Sequence, residues 1–250
     1  MTSFRLAGVD VPRIGLGTNR LTTAPEHVAF LRDAVAAGLR HIDTAHLYTD
    51  GASERAVAAG LEGVREDVLV ATKGGYGRGE GRPEILAAQI EQSLRSLRTE
   101  AIGLYYLHRV DPETPLEESV GTIKEYVDRG AIRHVGLSDV GVDAIERARS
   151  IVPIAAVQNK YNLSERGYDD VIDHCEREGI AFVPYYPLKG DRGQEVAAAA
   201  RRLGVTPNAV MLAWLLRRSP AVAPIPGTLS LAHLRENLAA IDLDLGDELR

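Results

Sequence analysis

The sequence predicts an α/β fold, a single-domain (β/α)8 barrel with an N-terminal β-hairpin. Three observations carry that reading. Short apolar, β-branched runs alternate with longer amphipathic segments along the whole chain. The alternation recurs at about thirty residues per unit, the spacing of parallel βα units. Eight such units fit within the 250 residues, and eight is the number that closes a parallel sheet with no edge left over.

Taken in order, 4–11 reads as a small hairpin turning through Gly8-Val9-Asp10, placed to plug the bottom of the barrel. The strands that follow are 14–17, 41–43, 68–72, 102–107, 132–137, 154–158, 180–184 and 222–225. Helices follow them at 26–37, 54–61, 83–98, 116–129, 142–149, 166–178, 195–203 with 207–217, and 231–240. Ala37-Gly38, Asp128-Arg129-Gly130 and Glu178-Gly179 are helix-stop signals, because glycine readily takes the left-handed conformation that ends a helix. An open doubly wound sheet instead predicts GxGxxG after the first strand, and only Gly15-Leu16-Gly17-Thr18 stands there, without the third glycine. No Ser/Pro-rich linker or composition shift divides residues 1–250, so one domain is expected.

Composition narrows the function. Twenty-nine Lys and Arg against 35 Asp and Glu give a net charge of −6 with no basic cluster, which argues against nucleic-acid and anionic-membrane partners. The single cysteine, Cys175, can form neither an internal disulfide nor a cysteine-based zinc site. The opening residues lack an apolar signal core, and no run approaches the ~18 apolar residues of a membrane span. A cytoplasmic, metal-free, monomeric protein is the expectation.

In such a barrel the working residues sit where strands end and βα loops begin. The second strand ends in Asp43 and leads to Tyr48, the third ends in Lys73 and the fourth in His108. An acid, a phenol, an amine and an imidazole at adjacent strand ends suit hydride and proton chemistry on a carbonyl. Reducing C=O leaves a developing alkoxide that needs a proton; Tyr48 is the donor, Lys73 favours its phenolate form, and Asp43 keeps the lysine charged. His108 donates a hydrogen bond to the carbonyl oxygen and fixes the face presented to the hydride. Singly, each residue has a bland reading: a helix cap for Asp43, surface positions for Lys73 and Tyr48, a loop histidine for His108. Four together at consecutive strand ends point to a site.

The stretch 41–48, His-Ile-Asp-Thr-Ala-His-Leu-Tyr, followed by Gly51 and Glu54, resembles the D-T-A-x-x-Y…G…E motif of the aldo-keto reductase family. Ala71-Thr72-Lys73, Leu104-Tyr105-Tyr106-Leu107-His108-Arg109 and Ile132-Arg133-His134-Val135-Gly136-Leu137-Ser138 resemble that family's lysine, histidine and serine motifs. The likeness continues through 157–162, 184–188 and 225–228 to Glu236-Asn237. It implies a TIM barrel that binds NADPH in extended form at the strand C-terminal ends, with NADH also possible, and acts on a small-molecule carbonyl substrate. By matching position, Tyr48 is the general acid, Asp43 and Lys73 tune it, and His108 orients the substrate. Ser138 and Gln158 would hold the nicotinamide carboxamide, Tyr185 would stack on the nicotinamide, and Gly17 and Thr18 would line that end. Leu188 would pass beside the pyrophosphate, with Thr228, His233, Glu236 and Asn237 around the adenosine.

The departures matter too. The family's usual Asn after the serine is Asp139 here, which removes an amide donor. Gly227 and His233 stand where many NADPH-specific members have Lys and Arg, which weakens strict NADPH preference. His233, Arg235 and the hydroxyls of Thr228 and Ser230 could compensate in part.

The glycine-rich stretch 74–82 lacks the GxxxxGK[ST] pattern and is expected to be a mobile rim loop that shapes substrate entry. His41 and His46 do not form the H-x-H pair of barrel metallohydrolases. Two other functions fit parts of the pattern: a Schiff-base lyase using Lys73, and a nicotinamide-nucleotide-binding regulatory subunit with little turnover. The chain is also short for the resemblance, ending soon after the last helix. That predicts a substrate pocket left open on one side and weakly selective.

Overall fold

A computed structural model describes residues 4–190 and 193–249. The hairpin strands β1 (Phe4–Leu6) and β2 (Val9–Val11) pair antiparallel with Leu6 opposite Val9. The turn is therefore Ala7-Gly8, one step earlier than the sequence suggests, and both residues take positive φ, as the tightest hairpin turns require. Leu6, Ala7 and Val11 are buried against Leu69, Leu104, Ala181 and Ile225 inside the barrel. The hairpin is a plug.

Seven parallel strands follow in sequence order: β3 (Leu16–Gly17), β4 (His41–Asp43), β5 (Leu69–Gly74), β6 (Ile102–Leu107), β7 (Ile132–Ser138), β8 (Ile154–Gln158) and β9 (Ala181–Phe182). Among the described residues the helices are α1 (Pro25–Ala36), α2 (Ala52–Gly60), α3 (Pro83–Leu97), α4 (Leu116–Asp128), α5 (Val142–Arg149), α6 (Asp169–Glu178), α7 (Gly193–Leu203), α8 (Pro207–Arg218) and α9 (Leu231–Ala239). Helix α6 begins at Asp169 and not at 166, because Asn162 and Glu165 first form a small bridged turn. No helix among the described residues is long and apolar enough to cross a membrane.

The expected eighth strand, 222–225, closes the barrel by a reduced ladder. On one side Ala223 N and Ile225 N donate to Phe182 O and Pro184 O; on the other, Gly15 N and Gly17 N donate to Pro224 O and Pro226 O. Pro224 and Pro226 have no N–H to return to the first strand, so half the bonds on that side cannot form. Closure is reinforced from below by the Arg13 guanidinium, which donates to Leu216 O, Ser219 O and Val222 O at 3.0, 2.6 and 2.9 Å. Close approach at this seam needs glycine: a Cβ on Gly17 would sit 2.8 Å from Ile225 O.

The period-2 geometry of a strand sorts side chains into two layers. Leu69 and Ala71, Leu104 and Tyr106, Ala156, Ala181 and Val183 point into the barrel. Val70, Tyr105, Leu107, Val135, Leu137, Val157 and Phe182 point out beneath the helices. Gly136 makes room for the inward Tyr106, whose ring atoms lie 2.4 Å from where a Cβ would stand. Continuing the inward parity one or two steps up each strand arrives at Asp43, Lys73, His108, Ser138, Gln158 and Tyr185.

Candidate active site

Those inward residues meet at the C-terminal end of the barrel around a cavity of about 840 Å³. Its walls include Gly17, Thr18, Asp43, Tyr48, His108, Ser138, Gln158, Tyr185 and Leu188, all expected from the sequence. Lys73 lies behind this surface, 0% exposed. Thr228, His233, Glu236 and Asn237 are not in the wall. Thr228 follows the lining residue Gly227, His233 and Glu236 are exposed on α9, and Asn237 is buried.

Lys73 Nζ donates to Asp43 Oδ1 at 2.5 Å and to Thr44 O at 2.8 Å. Two of its three N–H groups are thus committed, and the ammonium stands 5.1 Å from the centroid of the Tyr48 ring. Burial pushes the Lys73 pKa down, but the charges of Asp43 and Tyr48 outweigh it and the net shift is upward. The lysine therefore stays charged. Gln158 Nε2 donates to the other Asp43 oxygen at 2.8 Å, so the carboxylate is held from both sides.

For Tyr48, burial raises the pKa and the Lys73 charge lowers it; burial wins, and the phenol is protonated across the physiological range. The lysine moderates that rise and does not turn the phenol into a resting phenolate. Tyr48 is set in place by an uncommon turn. Thr49, Asp50 and Gly51 all have positive φ, a conformation costing a non-glycine residue of order 1–3 kcal/mol and least natural for a β-branched one. The Thr49 hydroxyl lies 2.7 Å from both Leu21 O and Tyr48 O and stabilises the turn by sharing its one proton between them.

The His108 ring meets Tyr48 edge-on at 6.1 Å and Tyr76 at 4.9 Å. Burial, with Lys73 and Arg109 nearby, lowers its pKa to about 2. It is a neutral imidazole, one nitrogen a donor and the other an acceptor. Its Nδ1 is buried without a partner.

Two sequence-expected contacts are engaged within the protein. The Thr18 hydroxyl donates to Asp43 O at 2.9 Å and meets Ser53 Oγ, so it braces the strand ends. Ser138 Oγ accepts from Arg109 at 3.1 Å. Asp139, the departure from the usual Asn, accepts from Arg109 at 2.7 Å and from the Tyr185 hydroxyl at 2.9 Å. Glu54, part of the tyrosine motif, faces outward: its buried carboxyl accepts from Thr72 Oγ1 at 2.6 Å and ties α2 to β5.

The glycine-rich loop 74–82 is anchored, contrary to the expectation of mobility. Asp111 accepts from Gly79 N, Gly81 N, Glu113 N and the Thr114 hydroxyl. Desolvation pushes the Asp111 carboxyl up, but those bonds outweigh it and hold it at about 2. Glu80 accepts from Tyr76 N and Gln89. The anchored loop presents Tyr76, 51% exposed, to the cavity. Asp191 and Arg192, just beyond Lys189, lie outside the described residues.

Sequence reading did not name Arg20, Arg109 and Tyr186 among the lining residues, and of the expected rim loop 74–82 it is Tyr76 that reaches the wall. Arg109 was findable, since it follows His108 at a strand end. Arg20 and Lys189 bring two cations to the wall. Among the described residues no group of three or more His, Cys, Asp or Glu side chains is arranged to hold a metal. The donor set fits a nicotinamide nucleotide: a cavity of about 840 Å³ lined by the hydroxyl of Ser138, the amide of Gln158 and the ring of Tyr185, with Arg20 and Lys189 as cations for phosphate charges.

Comparison with known proteins agrees. Residues 13–194 and 189–249 match the Aldo/keto reductase family. Pyridoxine 4-dehydrogenase of Escherichia coli is 35% identical over 99% of this chain and 95% of its own. An uncharacterized oxidoreductase of Schizosaccharomyces pombe is 35% identical over 99% and 87%. Among solved structures, the thermostable aldo-keto reductase Tm1743, in complex with the inhibitor epalrestat, superposes with a TM-score of 0.90 at 31% identity over 99% and 96% of the two chains. An aldo-keto reductase from Klebsiella pneumoniae in complex with NADPH gives 0.89 at 29% identity over 98% and 91%. With barrel, strand-end residues and sequence all in agreement, the chain belongs to the aldo/keto reductase family and is an oxidoreductase.

Proposed function

We propose that this protein reduces aldehydes or ketones to alcohols with NADPH, using Tyr48 as the proton donor. One observation carries the reading: a buried Lys73–Asp43 ion pair of 2.5 Å backs a protonated Tyr48 and a neutral His108 at the wall of a cavity large enough for a nucleotide and a small substrate. The relative crystallised with NADPH supports the cofactor.

Bound NADPH supplies the hydride. The protein supplies the rest. The neutral His108 donates a hydrogen bond to the carbonyl oxygen and sets which face is presented. Tyr48 hands its proton to the oxygen as negative charge builds there, and Lys73 stabilises the phenolate left behind. Asp43 keeps Lys73 charged, and Thr44 O and Gln158 keep the pair aligned. Ser138 and the ring of Tyr185 would hold the nicotinamide end, Arg20 and Lys189 beside Leu188 would offset phosphate charge, and Thr228, His233, Glu236 and Asn237 would hold the adenosine.

A Schiff-base role for Lys73 requires a neutral, reachable amine. This lysine is 0% exposed, tied to a carboxylate, and shifted toward the charged form. The test is NADPH consumption with a panel of small aldehydes. Tyr48→Phe should lower kcat by at least the 10²–10⁴-fold typical of a general acid, with NADPH affinity retained. Unchanged turnover in that variant overturns the mechanism.

A further inference from the structure

Arg109 does more than follow His108. Its Nη1 donates to His108 O at 2.8 Å and to Ser138 Oγ at 3.1 Å, while Nη2 pairs with Asp139 at 2.7 Å and reaches the Tyr185 hydroxyl at 3.5 Å. The guanidinium also lies 5.3 Å from the Tyr76 ring and 5.8 Å from the Tyr185 ring. Asp139 completes the circuit by accepting from the Tyr185 hydroxyl with both oxygens, at 3.1 and 2.9 Å. Its backbone sits at φ 54 with its N–H donated to Gln158 O. Aspartate tolerates that conformation better than most residues.

From these contacts we infer that Arg109 and Asp139 form one charge-neutral positioning unit that orients Ser138 and Tyr185 and sets the relative affinity for oxidised and reduced nicotinamide. The inference rests on the reading of those two residues as nicotinamide-facing.

The chemistry runs as follows. Because Arg109 supplies an N–H to Ser138 Oγ, the serine accepts on that side and its own proton is free to be donated into the cavity. Because the Tyr185 hydroxyl is tied to Asp139, its ring is fixed at one end, with the Arg109 guanidinium 5.8 Å and the Tyr186 ring 5.3 Å from its centroid. Only a guanidinium can serve these partners at once; an ammonium is a point charge without the fork.

The charge argument is independent of the geometric one. Oxidised nicotinamide carries a positive charge and the reduced ring none. Arg109 lines the cavity and Asp139 is paired to it from behind, their side chains 30% and 20% exposed, so the two charges cancel. Removing one partner leaves an uncancelled charge beside the ring, in a setting where screening is weaker than in bulk water.

The test measures Kd for NADP+ and NADPH in wild type, Asp139→Asn, Arg109→Leu, Arg109→Lys and the Asp139→Asn/Arg109→Leu double variant. Calorimetry gives both constants, with chemical denaturation run alongside. Asp139→Asn should weaken NADP+ at least threefold more than NADPH. Arg109→Leu should shift the ratio at least threefold in the opposite sense, and the double variant should return it to within twofold of wild type. Arg109→Lys should keep the ratio while weakening both ligands at least fivefold, separating charge from positioning. A loss of stability alone moves both ligands together and leaves the ratio untouched. Single variants that shift the ratio in the same sense, or not at all, overturn the proposal. Wild-type protein that binds neither nucleotide overturns the NADPH reading as well.

Discussion

Replacing Asp43 by Asn removes the counterion of a lysine that has no access to water. Lys73 and Asp43 are 0% and 1% exposed and 2.5 Å apart. Breaking a buried pair from one side costs about 3–5 kcal/mol, because the remaining charge is left uncompensated. A second route gives the same size. The lysine can escape by losing its proton, and at about pH 7 neutralising an amine of ordinary pKa near 10.4 costs about 4–5 kcal/mol, at 1.36 kcal/mol per pH unit. That is the ceiling on the charge penalty.

The two routes also fix the pH dependence. In Asp43→Asn the folded state disfavours the Lys73 ammonium, so between its lowered folded pKa and the unfolded value the unfolded chain binds more protons. Stability then rises with pH. At pH 9 the ceiling falls to about 2 kcal/mol. The wild-type pair behaves in the opposite sense: its raised lysine pKa contributes stability below the unfolded value that is lost only as pH climbs through the folded one. Urea denaturation at pH 7 and pH 9, followed by the single tryptophan, Trp214, packed on Tyr161, reads this directly. A deficit below about 1 kcal/mol at pH 7, or one that does not shrink at pH 9, refutes the claim that the charged pair is buried and mutually dependent.

Two further outcomes follow from the titrating groups. His41 is buried with its pKa lowered to about 4, so the unfolded chain takes up a proton near pH 6.5 that the folded chain refuses. Wild-type stability should fall on acidification from pH 6.5 to 5, with about 1.5 kcal/mol of that loss due to His41. His41→Gln should remove that share; an unchanged slope contradicts the burial argument. In carbonyl reduction, kcat/KM should be flat between pH 5 and 8. Tyr48 is protonated there and His108, at about 2, does not titrate. The rate should decline only as pH rises through the raised Tyr48 value, and a midpoint near pH 6.5 would show that an ordinary histidine is the proton source.

Much of this protein is legible in its residues because parallel barrels obey strict rules. Period-2 parity carries interior positions such as Ala71 and Tyr106 directly to Lys73 and His108, so the residues that end the apolar runs come together at the top of the barrel. What stayed hidden depends on partners distant in sequence. Pro224 and Pro226 keep the apolar look of a strand while lacking an N–H, so they accept from Gly15 and Gly17 of the first strand and return no bond to it. The glycine-rich loop read as mobile because the residue that holds it, Asp111, lies some thirty positions away. Asp139 read as a lost amide donor; only the fold shows that its carboxylate has gained Arg109 and Tyr185 as partners. Tyr48 read as tuned downward by Lys73, whereas burial, which sequence does not quantify, has the larger effect.

The most direct test of the central claim is isotopic. NADPH carrying deuterium at the transferring C4 position is mixed with wild-type protein and an aldehyde substrate in ordinary water, and the alcohol is analysed by mass and NMR. One deuterium should appear on the former carbonyl carbon for each NADPH consumed, with Tyr48→Phe forming the product far more slowly. Alcohol without label, or a carbonyl compound trapped on Lys73 by borohydride with no NADPH consumed, would contradict the account.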